Sequence, residues 1–176
     1  IANCSYIENL IKIIRKYKSV LIVDECYIEI YYSQKPIGAI EVCEKLGNKL
    51  DNVVIFHSLS KRSNVAGLRS GFVIGDSKII ECYKRLRSYS APTIPIPIQL
   101  ASSKLWADEK HIKVNREKYI KKLALANKIF SNYKHYESPE AGFFLWLKVD
   151  NAKHFVKEVF FHYSIKIMPG EYLAAG

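Results

Sequence analysis

The sequence predicts an α/β domain with a mostly parallel sheet and helices on both of its faces, followed by a small α+β domain. Short apolar runs have the length of buried strands, and segments with helical periodicity alternate with them. Three such runs fall at residues 20–23, 53–56 and 72–74. A long amphipathic segment leads into the second domain, and we divide the chain into domains at residues 1–104 and 105–176.

The first helix is predicted from its start and from its periodicity. Ser5 is followed three residues later by Glu8, as in a capping box with Ser5 at the N-cap. A helix that leads into a strand is half of a right-handed βαβ crossover, which favours parallel strands. The apolar side chains at helical spacing are Ile7, Leu10, Ile11, Ile14 and Tyr17.

The later elements follow from caps and helix breakers. A short helix over residues 39–46 ends at Gly47, and Asp76 is the predicted N-cap of a helix over residues 77–87. Three prolines exclude regular helix from residues 90–97. Two further helices and then a strand, a helix and a strand are predicted at residues 99–106, 112–133, 143–149, 152–163 and 165–168.

Composition excludes several classes of protein. The chain has 176 residues, of which 49% are hydrophobic, and no apolar run approaches the ~18 residues of a membrane span. Its net charge is +10, but the basic residues are spread over the whole chain, so we expect a solvated basic surface and no nucleic-acid partner. Four cysteines without a CxxC pair suit reduced thiols in the cytoplasm, and the histidines show no metal-ligand spacing.

Polar side chains gather where two of the predicted strands end. The first of these strands ends in Asp24, with Tyr27 three residues later, and the second leads into Ser58-Leu59-Ser60-Lys61. Arg69 follows eight residues after the lysine. Residues at strand ends line the ligand crevice of open α/β sheets, so we expect these two ends to converge on one site.

Each of these residues alone has an ordinary structural explanation. Lys61 is either a solvated charge or a nucleophile that reacts with an aldehyde. Asp24 alone suits a turn cap, and Tyr27 suits a core position with a solvated hydroxyl. Together with Arg69 and the hydroxyl residues they form the set that pyridoxal phosphate needs: a carboxylate for the pyridine nitrogen, a lysine for the aldehyde, and donors for the phosphate.

The motifs resemble those of the pyridoxal-phosphate-dependent aminotransferases of fold type I, class I/II. The matching strings are Asp24-Glu25-Cys26-Tyr27, Ser58-Leu59-Ser60-Lys61 and Gly67-Leu68-Arg69-Ser70-Gly71. The longer string from His57 to Val73 is most similar to the succinyldiaminopimelate aminotransferases of bacterial lysine synthesis. The resemblance covers essentially the whole chain and implies transamination between an amino acid and a keto acid by a cytoplasmic homodimer.

The resemblance also implies a role for each motif residue. Lys61 binds the aldehyde of the cofactor and acts as the base that moves the substrate's Cα proton. Asp24 accepts a hydrogen bond from the pyridinium N–H, and the Tyr27 phenol donates to the cofactor's 3′ oxygen. Three side chains hold the 5′ phosphate: Ser58, Ser60 and Arg69.

A few conspicuous residues receive no catalytic role from the sequence. His57 is expected to pack at the strand end, and Arg62 stays unassigned. Pro169-Gly170 resembles the family's turn that faces the substrate. The aromatic residues predicted to be mostly in the core are Phe143, Phe144 and Trp146.

The chain resembles the C-terminal part of the family. Residues 1–104 correspond to the end of the large cofactor-binding domain and residues 105–176 to an incomplete small domain. The family's N-terminal phosphate loop, its ring-stacking aromatic residue and its substrate-carboxylate arginine have no counterpart in the sequence. We therefore expect the isolated chain to lack transamination activity. The alternative interpretations are another class I/II aminotransferase acting on aspartate, alanine or aromatic amino acids, a β-lyase of the same fold, the effector domain of a DNA-binding regulator, and an inactive remnant.

Overall fold

A computed structural model describes residues 1–47, 49–90 and 93–173. The chain forms two compact units, Ile1–Ala124 with Pro139–Phe143, and Leu125–Ser138 with Phe144–Gly176. The domain boundary at residue 104 stays a prediction. No helix among the described residues is long and apolar enough to cross a bilayer.

The first unit is built around a three-stranded sheet with the order β1-β2-β3. β1 and β2 are parallel, with Val23 opposite Ile55, and the chain crosses between them through a helix, as predicted. β3 runs antiparallel to β2, with Ile55 opposite Ile74. The connection from β2 to β3 holds only a four-residue helix and a short 3₁₀ turn, which is too little for a parallel crossover. The strands are β1 (Leu21–Asp24), β2 (Val53–Ser58) and β3 (Gly71–Gly75).

Two helices pack against this sheet and form its buried core together with the central strand. Ile11 of the first helix and Val42 of the second are completely buried against Val53 and Ile55 of β2. Each such side chain contributes about 1.5–3 kcal/mol on burial. The helices of the first unit are α1 (Cys4–Lys16), α2 (Ala39–Lys45), α3 (Leu59–Arg62), α4 (Ser77–Ser90), α5 (Ile96–Ala107) and α6 (Lys110–Ile129), of which α6 continues into the second unit.

Helix α1 begins differently from the prediction. Its N-cap is Asn3, whose Oδ1 accepts a hydrogen bond from the Tyr6 N–H at 2.9 Å, so the prediction of Ser5 as the N-cap was wrong. The Ser5 hydroxyl instead donates to the same Asn3 oxygen at 2.8 Å. Asn and Ser are about equally good N-caps, so residue type could not decide between them.

The proline-rich stretch is shorter than predicted. Helix α4 continues to Ser90, and α5 begins at Ile96 with Pro97 in its first turn. The prediction that residues 90–97 lie outside helices was therefore wrong at both ends, while Pro92 lies outside the described residues. Proline is tolerated in the first turn because its missing N–H would have no intrahelical acceptor there.

The second unit contains the predicted helix but not the predicted strands. Helix α7 spans Ala152–Tyr163. Among the described residues, the segments 143–149 and 165–168 form no strand, and only a single bridge joins Tyr136 to Leu147. A strand needs a neighbour that satisfies its backbone donors and acceptors, and apolar sequence alone does not supply one. Phe144 and Trp146 are exposed in this chain, contrary to the expectation of core positions.

Gly71 allows β3 to approach the end of β2 closely. A Cβ at this position would lie 2.4 Å from the His57 carbonyl oxygen and 3.3 Å from the Ser58 Cα, which are both backbone atoms. We expect Gly71→Ala to lower the free energy of unfolding by about 1–3 kcal/mol, measured by urea denaturation. The control is Gly67→Ala, because among the described residues no atom outside the two chain neighbours lies within 4 Å of a Cβ there. Equal losses in the two variants would contradict the packing argument.

Candidate active site

Lys61 lies in α3, directly beyond the end of β2. Ser58 is the N-cap of this helix, and its Oγ accepts a hydrogen bond from the Ser60 N–H at 3.1 Å. Leu59 is fully buried and anchors the helix to the core. A serine cap followed by a buried leucine therefore fixes the turn that presents the lysine at the strand end.

The Lys61 amine lies against two aromatic rings. Its Nζ is 5.0 Å from the centroid of the Phe143 ring and 5.7 Å from that of Tyr27. The centroids of the Tyr27 and Phe143 rings lie 5.3 Å apart. The Tyr119 ring stacks on Phe143, with 5.9 Å between their centroids. The contact brings together residues that are distant in sequence, so periodicity gave no signal that Phe143 would lie beside the lysine.

Phe143 reaches this place because two loops pair with each other. The segment after Tyr27 and the segment before Phe143 form an antiparallel bridge between Tyr31 and Ala141. The Gly142 N–H also donates to the Ile30 carbonyl oxygen at 2.8 Å. The pairing holds both rings at the end of the sheet where Lys61 lies.

Asp24 lies at the end of β1, opposite Phe56 of β2. Its Oδ1 accepts a hydrogen bond from the Cys26 N–H at 3.0 Å, so the residue does form a turn at the strand end. Hydrogen bonds from the Cys26 thiol and N–H lower the pKa of Asp24, against a smaller opposing effect of burial. Burial is the main cause that raises the pKa of the Cys26 thiol to about 11. The turn therefore holds an ionised carboxylate beside a neutral thiol.

Arg69 is exposed and lies in the left-handed region, with φ of 52°. Its Nη1 donates to the Ala66 carbonyl oxygen at 2.8 Å, which leaves its other guanidinium nitrogens for further contacts. Its neighbour Ser70 is buried, and its hydroxyl accepts a hydrogen bond from the Ser102 hydroxyl at 2.8 Å. The loop is thus fixed to α5 while the guanidinium faces outward.

Glu25 is a buried carboxylate that the sequence did not single out. Its Oε1 accepts a hydrogen bond from the Ala39 N–H at 2.6 Å, at the start of α2. Its Oε2 lies 3.0 Å from His57 Nε2, and the imidazole stacks on Phe72 at 5.0 Å. His57 thus packs at the strand end, as expected, and it helps to lower the pKa of the neighbouring Asp24.

A groove of about 830 Å³ lies elsewhere in the first unit, between β3, α4 and α5. It contains Lys84 and Arg87 among apolar and hydroxyl side chains. None of the six predicted cofactor residues lines it. We place the candidate active site at the strand ends because the amine, the ionised carboxylate and the phenol lie there.

A lysine and a carboxylate at neighbouring strand ends of an α/β sheet are typical of enzymes that bind a cofactor at the edge of the sheet. The family comparison is more specific: residues 1–175 match the model of the family described as aminotransferase class I and II. The chain belongs to this family.

Individual relatives agree with this assignment. The chain is 34% identical over 131 residues to 4-dedimethylamino-4-oxo-anhydrotetracycline transaminase OxyQ of Streptomyces rimosus, covering 73% of this chain and 36% of that protein. It is 29% identical over 177 residues to LL-diaminopimelate aminotransferase of Nitratidesulfovibrio vulgaris, covering 94% and 44%. The crystal structure of aminotransferase AspB from Helicobacter pylori superposes with a TM-score of 0.91 at 38% identity, covering 98% of this chain and 46% of that one. The chain thus spans less than half the length of these relatives.

Class I and II aminotransferases use pyridoxal 5′-phosphate, and the donor set of this chain fits that cofactor. The Lys61 amine lies against the rings of Tyr27 and Phe143. The lowered pKa keeps Asp24 ionised near neutral pH, as a partner of a pyridinium N–H must be. The exposed guanidinium of Arg69 has the planar geometry that suits a phosphate.

Proposed function

We propose that the whole protein transfers an amino group between an amino acid and a keto acid, with pyridoxal phosphate as its cofactor. The observation that carries this proposal is the position of Lys61, which lies at the end of β2 with its amine against Tyr27 and Phe143. Asp24 lies at the end of the adjacent strand with its pKa lowered. When bound, pyridoxal phosphate supplies a conjugated ring that accepts the electron pair left when the substrate loses its Cα proton.

Lys61 has two tasks in this proposal. Its amine would hold the cofactor through the aldehyde group, with loss of water. The same amine, when free, would be the base that takes the proton from the substrate's Cα and carries it to the carbon of the former aldehyde group. The rings of Tyr27 and Phe143 restrict the amine to a small volume, which favours this short transfer.

Asp24 and Tyr27 act on the cofactor ring. The carboxylate of Asp24 accepts a hydrogen bond from the pyridinium N–H. Its negative charge keeps that nitrogen protonated, because an opposite charge close by favours the charged form. The turn lowers the pKa of Asp24, and the hydrogen bond from the Cys26 N–H also fixes the orientation of the carboxylate. The Tyr27 phenol donates a hydrogen bond to the 3′ oxygen of the ring.

The phosphate is held by hydroxyl groups and a guanidinium. The Ser58 and Ser60 hydroxyls lie on the turn that carries Lys61, so the same backbone positions both ends of the cofactor. Arg69 supplies charge-assisted hydrogen bonds to the phosphate oxygens. One hydrogen bond to a charged group is worth about 1.5–3 kcal/mol.

Arg69→Ala should therefore weaken cofactor binding by about 10- to 100-fold, with a smaller loss of rate at saturating pyridoxal phosphate. The measurement is a titration of the protein, freed of cofactor, with pyridoxal phosphate. Arg85→Ala is the matched control, because Arg85 is an exposed arginine of α4 outside the candidate site. An unchanged affinity in Arg69→Ala would remove Arg69 from the phosphate site.

We propose succinyldiaminopimelate as the amino acid, paired with glutamate and its keto acid, in lysine synthesis. The similarity of the string from His57 to Val73 to the succinyldiaminopimelate aminotransferases supports this choice. One relative acts on LL-diaminopimelate, as its name states, and this similarity supports a substrate with the same carbon skeleton. We further propose that the whole protein is a cytoplasmic homodimer, as the resemblance implies.

The test uses the purified whole protein with pyridoxal phosphate, glutamate and N-succinyl-2-amino-6-oxopimelate. The expected result is stoichiometric formation of 2-oxoglutarate and succinyldiaminopimelate. Turnover with another keto acid would keep transamination and reject the substrate. Release of ammonia, pyruvate and a thiol from a cysteine thioether, without a keto acid acceptor, would favour a β-lyase, since Lys61 and Asp24 serve elimination as well. Cofactor binding without turnover of any substrate would favour the regulator.

A further inference from the structure

We infer that Arg62 is a positioning residue for Lys61, because it fastens the lysine-bearing helix α3 to the C-terminal end of α5. The inference rests on the proposed function of Lys61. Arg62 is the next residue in the chain, and only 8% of it is exposed. A buried arginine beside an active lysine needs partners for its charge and for its donors.

The partners of Arg62 all come from one place, the end of α5 and the turn after it. Its Nη1 donates to the Leu105 carbonyl oxygen at 2.8 Å, and its Nη2 lies 3.4 Å from the Trp106 carbonyl oxygen. Its Nη2 also lies 2.6 Å from the Glu109 Oε1. The guanidinium carbon is 4.9 Å from the centroid of the Trp106 ring.

These contacts fix the orientation of the Arg62 guanidinium as well as its position. The last carbonyl groups of a helix have no intrahelical donor and carry partial negative charge, so a cation is favourable there. The guanidinium is a rigid planar fork, and two carbonyl oxygens together with a stacked ring define its orientation. Glu109 is largely exposed, so its ion pair adds little and the carbonyl groups and Trp106 do most of the fixing.

Ser63 and Asn64, the next two residues, also form side-chain hydrogen bonds to this part of the chain. Ser63 Oγ lies 2.9 Å from His111 Nε2, and the other ring nitrogen, Nδ1, lies 2.9 Å from an oxygen of Asp108. The Tyr119 hydroxyl donates to the Asn64 side chain at 3.1 Å. The three residues after Lys61 are thus each bonded to the segment that contains α5 and the first half of α6.

Arg62 should matter most for the lysine because α3 is only four residues long. The lysine amine stands at the end of a long flexible stem, and a tilt of this short helix moves the amine away from Tyr27 and Phe143. Errors of about 1 Å in the position of a reacting group can lower a rate by about 10². Arg62 touches neither substrate nor cofactor in this proposal and acts only through Lys61.

The first experiment follows the reactivity of Lys61 without activity as the readout. The whole protein, freed of cofactor, is exposed to a short pulse of acetic anhydride, and acetylation of each lysine is measured by mass spectrometry. We expect Arg62→Met to raise the acetylation rate of Lys61 several-fold, because the amine leaves the rings that shield it. Lys104, an exposed lysine of α5, should be labelled at an unchanged rate.

A matched control separates positioning from a general loss of stability. Arg15 of α1 also donates to two backbone carbonyl groups, those of Lys49 at 2.6 Å and Asp51 at 3.3 Å, but it lies outside the candidate site. Arg15→Met should leave the labelling of Lys61 unchanged. Arg62→Lys keeps the charge but lacks the fork, so it should label Lys61 at an intermediate rate, and it decides the matter if Arg62→Met does not fold.

The holoenzyme supplies the second readout. Arg62→Met should lower kcat by about 10-fold or more while KM changes less, and Arg62→Lys should recover part of the loss. Equal labelling of Lys61 in Arg62→Met, Arg62→Lys and the wild type would overturn the inference. If borohydride fails to attach pyridoxal phosphate to Lys61 in the wild type while the labelling difference persists, the proposed function fails and the positioning role of Arg62 stands.

Discussion

Lys61→Ala in the whole protein should abolish transamination, with a loss of at least about 10⁴-fold in kcat. The variant loses the amine that binds the cofactor and the base that moves the Cα proton, and general acid–base catalysis alone is worth about 10²–10⁴. The methyl group that remains also leaves the faces of Tyr27 and Phe143 without their cation. Folding should persist, because Lys61 is only half-buried while Leu59 and Arg62 of the same helix are buried.

The measurement has a chemical and a kinetic part. Borohydride reduction of the wild-type holoenzyme should fix a pyridoxyl group to Lys61, and peptide mapping identifies the labelled lysine. Lys61→Arg keeps a cation over the rings but cannot form the bond to the aldehyde, so it should be as inactive as Lys61→Ala. Lys104→Ala should retain full activity. A pyridoxyl group on any other lysine would refute the assignment of Lys61.

The sequence predicted the candidate site better than the surroundings that support it. Asp24 and the Ser58 to Lys61 turn could be placed because both directly follow apolar runs, and parallel strands bring their ends to one edge of a sheet. The contact of Phe143 with Lys61 depends on pairing between loops more than 100 residues apart in the chain. No local pattern encodes such a pairing.

Arg62 shows the same limit for a charged residue. Charged side chains are mostly exposed, so a lone arginine in sequence predicts a solvated group. Its burial follows from free carbonyl groups at the end of α5, about 40 residues further along the chain. The strands predicted at residues 143–149 and 165–168 are missing for a related reason. An apolar run indicates that a segment is buried, but it does not indicate which other strand will pair with it.

The proposed role of Asp24 requires a carboxylate that stays ionised throughout the working pH range. Hydrogen bonds from the Cys26 thiol and N–H lower its pKa, and His57 contributes in the same direction. Because the folded pKa lies below the unfolded value near 3.8, the ionised group stabilises the fold above that pH. This stabilisation is lost only as the pH falls through the folded pKa. At neutral pH the carboxylate is therefore available to the cofactor.

Asp24→Asn should lower kcat by about 10² or more at neutral pH, with a smaller effect on folding. The amide keeps the shape of the side chain and can still accept the Cys26 N–H, but it removes the negative charge that keeps the ring nitrogen protonated. The loss should be smaller at lower pH, where the solvent itself protonates the ring nitrogen, so the activity ratio of wild type to variant should rise with pH. A pH-independent ratio would contradict an electrostatic role.

Asp76→Asn provides the matched control for this experiment. Asp76 is also an aspartate just beyond a strand, and backbone N–H groups, first of all that of Asn52, lower its pKa. It caps α4 through the Lys78 N–H at 2.9 Å and lies outside the candidate site. Asp76→Asn should therefore lower stability at neutral pH while kcat stays at the wild-type level. If Asp24→Asn likewise lost only stability and kept its rate, Asp24 would be a turn cap and the proposed partner of the ring nitrogen would have to be another residue.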